Sequence, residues 1–225
     1  MAINRQTSSS RAHAYPSSAR SGRLTGGGTA GNERLTAATG TILLVLLAVI
    51  GVTILRLRPL LSVHLFVGML LIPPVLLKMS STGYRFLRYY TANPPYRRKG
   101  PPAAPLRIIA PMVVASTLAV LGTGVALLFI GPSSRGTLEP IHKISFFVWL
   151  AFTGLHVLGH LAEMPKALKS DYGPAATLTS DVTGRSGRVL ALGAALVAGV
   201  VLAILVIPEF GAWLNDAGVF HHHHG

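Results

Sequence analysis

Apolar residues along this chain gather into five long blocks, at 39–57, 60–79, 106–131, 141–162 and 189–208. Each is near the roughly 20 mostly apolar residues that a helix needs to cross the hydrocarbon of a bilayer. The short alternating segments of a transmembrane barrel do not occur. The pattern therefore predicts an all-α polytopic membrane bundle of about five transmembrane helices, four forming a core and the fifth packing on it. It divides the chain into a tail (1–34), a helical domain (35–210) and a short outer tail (211–225).

The breaks between blocks add detail. Arg56-Leu57-Arg58-Pro59 is a turn of a few residues, which makes helices 1 and 2 antiparallel neighbours. Pro73-Pro74 falls inside helix 2, where a missing donor and a ring clash predict a kink. Beyond it, Ser80 to Tyr90 interleaves aromatic and Arg residues, as a helix at the headgroup level does, while Lys78 is expected to snorkel outward. The prolines between Thr91 and Pro105 predict an extended loop. Gly122 and Gly124 in helix 3 allow close helix packing or the approach of a flat ligand. Thr137 to Pro140 reads as the N-terminal cap of helix 4. A second polar stretch, 163–188, joins helices 4 and 5.

Composition agrees with lipid as the solvent: 50% of the 225 residues are hydrophobic and 12% charged. A net charge of +13 would suggest nucleic acid in a water-soluble protein, but its placement argues otherwise. Most Lys and Arg lie in the tail, in 78–107 and in 163–188, whereas Arg56, Arg58, Arg135 and Lys143 fall in the alternate connections. With five spans those groups land on opposite faces, and the positive-inside bias puts the N-terminus in the cytoplasm and the C-terminus outside a plasma membrane. The charge reads as topology, and nucleic acid is not an expected partner. The polar residues 1–34 read as a disordered cytoplasmic tail. Cysteine is absent, which excludes disulfides, thiolate metal sites and covalently attached haem. Chemistry is left to histidine, carboxylate and methionine.

Ionisable residues inside apolar spans mark function by default. His64 enters helix 2 from the outer side as His142 enters helix 4, so the two share a depth. A porphyrin between them would have one imidazole on each face. His142 and His156 are about 1,400° apart on one helix, roughly 40° short of whole turns, with about 21 Å between them along the axis. Helix 4 can thus serve two haems stacked across the bilayer. At the inner level helix 2 offers Lys78 and Met79 rather than a second histidine, and Met79 is a plausible iron ligand. A single haem is as defensible as two. His160 lies one turn beyond His156 and can replace it or bond a propionate or a quinone carbonyl. Gly68, one turn after His64, makes room for a ring edge.

His64 on helix 2 and His142 with His156 on helix 4 resemble the ligand sets of four-helix membrane cytochromes b. The resemblance covers roughly residues 39–165, and the second histidine expected on helix 2 is missing. It implies one or two b-type haems, a quinone and a partner redox subunit. The implied role is a non-catalytic electron-transfer or haem-anchoring subunit passing electrons between the quinone pool and a partner oxidoreductase.

Other readings stay open. The histidines also suit interfacial positions or polar contacts between helices, which describes a haem-free structural or assembly subunit. A small transporter would use the Pro73-Pro74 break as its substrate site. His221 to His224 are able to hold a metal ion, but read more simply as an unstructured tail or the remnant of a purification tag.

Overall fold

The computed structural model describes residues 28–91, 104–161 and 185–219. Among these the chain is all helical, with no strand. The elements are α1 (Gly28–Leu55), α2 (Leu61–Tyr90), α3 (Ala104–Ile130), a 3-10 turn (Pro132–Ser134), α4 (Arg135–Leu161), α5 (Arg185–Leu205) and α6 (Ile207–Val219). Five of them are long and apolar enough to cross a membrane. Many of their hydroxyl residues do not interrupt them, because they bond back to their own helix. Thr39 donates to the Leu35 carbonyl at 2.7 Å, and Ser116 to that of Met112 at 2.7 Å.

α1 and α2 form the expected antiparallel hairpin around residues 56–60. Pro73 and Pro74 lie within an unbroken α2, and Pro74 is buried there. α3 and α4 form a second hairpin through Gly131, whose φ of 82° suits the one residue without a Cβ. Along that hairpin Trp149 Nε1 donates to Thr117 Oγ1 at 3.1 Å. Both turns and α6 gather at one end of the bundle, called here the turn end. α2 finishes at the opposite end, where Phe86, Leu87 and Tyr90 are exposed and Arg88 stacks 5.3 Å from the Tyr84 ring centroid.

The packing departs from a four-helix core with one added helix. α2 is the hub, with α1 on one side and α5 on the other, whereas α4 leans on α3 alone along its length. Gly199 is the reason α5 sits so close: the Leu70 carbonyl of α2 occupies the space a side chain would need. Leu43 of α1 packs with Val67 and Leu71 of α2. Met69, Leu128 and Ala203 join Val206, Phe210 and Trp213 in a second cluster at the turn end. α2 and α4 share no extended contact among the described residues.

Boundaries also shift. α1 begins at Gly28, inside the stretch 1–34 expected to be an unstructured tail, and α4 begins at Arg135, ahead of the cap expected at Thr137. Residues 211–219, expected as an outer tail, belong to α6. The expectations for residues 1–27, for the loop between Thr91 and Pro105 apart from its ends, for 162–184 and for His221 to His224 lie outside the described residues.

Candidate two-histidine site

His64 and His142 stand near the turn end, on α2 and α4, each half-buried. Each imidazole is met by a threonine of the neighbouring helix in its own hairpin. Thr53 Oγ1 of α1 lies 2.9 Å from His64 Nδ1, and Thr123 Oγ1 of α3 lies 2.9 Å from His142 Nδ1. In both hairpins the two residues sit almost symmetrically about the turn, so an antiparallel pairing places them side by side.

The bond network assigns the tautomer. A hydroxyl has one proton, and a carbonyl can only accept. Thr53 Oγ1 lies 2.7 Å from the Ile50 carbonyl, and Thr123 Oγ1 lies 2.8 Å from that of Ala119. If either hydroxyl proton pointed at the imidazole, two oxygens would face each other at those distances with no proton between them. The protons therefore go to the carbonyls, and each histidine donates Nδ1–H to its threonine. Ser145, 3.2 Å from Thr123 Oγ1, donates to the His142 carbonyl at 2.8 Å, and so does not alter the assignment. On that assignment Nε2 of both rings carries the lone pair, which is the state a metal-ligating imidazole needs.

The glycines divide between two tasks. Gly124 seats the His142 ring, whose Cε1 lies 3.2 Å from where a Cβ would stand. Gly68 and Gly122 face open space, as clearance for a flat group beside His64 requires. His156 and Met79 are each half-buried, and His160 lies in α4 with its side chain outside the described residues. Among the described residues no three His, Asp or Glu side chains gather as a metal site. Haem asks for fewer protein ligands than that, because the porphyrin supplies four of the six iron ligands and two imidazoles complete the set.

Lys78 does not reach outward as expected. Its Nζ donates to the Thr36 carbonyl at 2.8 Å and occupies the space left by Gly40 on α1. Ser81 Oγ lies 3.0 Å from Thr36 Oγ1, Asn32 donates to the Ser81 carbonyl at 3.0 Å, and Glu33 pairs with Arg85 at 3.6 Å. The two threonines and this lysine slot escaped the sequence reading, although pairing residues symmetrically about the Arg56–Leu60 turn, and about the turn at Gly131–Ser134 for Thr123, would have found them. Comparison of the chain with protein-family models, with curated proteins and with solved structures gave no match.

Proposed function

We propose that this chain is a polytopic membrane protein in which His64 and His142 are the axial ligands of one b-type haem. Its role is an electron-transfer or haem-anchoring subunit, working between a quinone and a partner redox subunit at the plasma membrane. The observation that carries the reading is the matched pair of threonine bonds, which on the tautomer argued above leaves Nε2 of both imidazoles free to ligate, on two helices that share no extended contact among the described residues. The membrane part rests on five long apolar helices whose central windows are at most 22% buried by protein. Lipid is the solvent that suits such an exterior.

In this reading Thr53 and Thr123 hold each ring in one orientation and take its Nδ1 proton, which raises the basicity of Nε2. Gly124 lets the His142 ring lie close to α3, and Gly68 keeps one edge of the site clear. When bound, the haem supplies reversible one-electron exchange at its iron. A second, inner haem on His156 or His160 with Met79 has less support, because the neighbouring Lys78 is turned toward α1.

The decisive experiment is a reduced-minus-oxidised spectrum with a pyridine haemochrome assay on the full chain expressed with ample haem. We expect one b-type haem per chain, lost in His64→Ala and in His142→Ala and kept in His156→Ala. Protein without haem would overturn the redox reading and leave a structural subunit. Topology is tested separately in the cysteine-free background. An impermeant thiol reagent should label Gly136→Cys from outside sealed cells and Thr91→Cys only after lysis.

A further inference from the structure

The His64–His142 site draws on two units that touch little. α2 belongs with α1 and α5, α4 leans on α3, and a light seam between α2 and α3 is the main direct contact between them. α6 is the element that reaches both units, touching α2, α5, α3 and the 3-10 turn before α4.

Its side chains grip each of these partners. Phe210 and Trp213, 5% and 7% exposed, pack in one cluster with Met69 of α2, Leu128 of α3 and Ala203 of α5. Trp213 Nε1 donates to the Leu127 carbonyl at 3.1 Å. Asp216 Oδ2 forms an ion pair with Arg135 NH1 at 2.5 Å, while Nε of the same guanidinium stands 3.0 Å from Glu139 Oε2 and the group stacks 5.4 Å from the Trp213 ring centroid. A planar fork held from three directions has little freedom left. Arg135 is the first residue of α4, and His142 follows after about 700°, roughly 20° short of two turns, so both project from one face. Arg135 thus ties down the first turn of the helix face that carries His142.

We infer that α6 is a clasp that sets the α2–α4 spacing, with Asp216, Arg135 and Trp213 as positioning residues for the His64–His142 pair. The clasp stands on packing and charge alone, and its consequence for the cofactor rests on the haem reading proposed above.

The test uses spin labels at Ser62→Cys on α2 and Ile144→Cys on α4, both exposed positions, in the otherwise cysteine-free full chain in lipid nanodiscs. The parent should give one narrow distance distribution. Asp216→Asn, Arg135→Gln and the milder Trp213→Phe should broaden it and move it to longer distances. Asp216→Glu should restore the parent distribution, and Glu139→Gln, which loosens Arg135 within α4 but keeps its contacts to Asp216 and Trp213, should change it far less than Asp216→Asn. In haem-loaded protein Asp216→Asn should also shift the low-spin electron paramagnetic resonance g-values at unchanged haem content. An unaltered distribution in both Asp216→Asn and Trp213→Phe would overturn the clasp. A chain without haem would sink the redox reading and leave the distance test intact.

Discussion

α2 turns two polar groups toward α1, and the two ends of this face treat them differently. Near the turn end, His64 gives Nδ1–H to Thr53, whose own proton is committed to a carbonyl. Fourteen residues later, Lys78 gives its ammonium to a bare carbonyl, that of Thr36, in a slot opened by Gly40. On α4 the same spacing runs from one histidine to another. Equal spacing thus does not make equal sites. The facing helix decides, because a hydroxyl acting as acceptor steers an imidazole whereas a glycine beside a carbonyl admits a cation.

The largest effect should separate the two ends outright. His64→Ala should abolish the haem spectrum, whereas Lys78→Ala should keep it, and loss in both would mean that the ends form one site. Next in size, Thr53→Val and Thr123→Val should each weaken haem retention by about 10–100-fold, the usual cost of deleting a ligand's supporting hydrogen bond. Competition with a haem-accepting apoprotein measures it, and unchanged retention would remove the tautomer argument. Between the two ends, Gly199→Ala drives a methyl into the Leu70 carbonyl and should cost about 1–3 kcal/mol in thermal unfolding. Gly40→Ala should be smallest, about 0.5–1.5 kcal/mol, because the atom it meets is the mobile tip of Lys78 and a change of rotamer relieves it. A larger cost at Gly40 than at Gly199 would show that the ammonium has nowhere else to go.

Much of this architecture was legible from apolar run length, because a helix in an apolar setting needs little beyond an unbroken stretch of Ile, Leu, Val and Ala. The order of packing was not. Gly199 looks like any other small residue until the Leu70 backbone is found against it, so α5 could not be recognised as a principal partner of α2. α6 was missed although its signals were present. Pro208 and Glu209 suit a first helical turn, and Phe210, Trp213 and Leu214 recur at helical spacing. The histidines stood out because imidazole is rare in an apolar span. The threonines that orient them did not, since threonine is common there and its role appears only once both hairpins are folded.

The length of α2 has its own outcome. Thirty residues make a rod of about 45 Å, against a hydrocarbon layer of about 30 Å. Standing upright from the His64 side, such a rod would project some 15 Å beyond the opposite surface as a mast bearing Arg85, Arg88 and Tyr90. A soluble visitor arriving from that side would meet a stiff, cationic, aromatic pillar before it met any phospholipid.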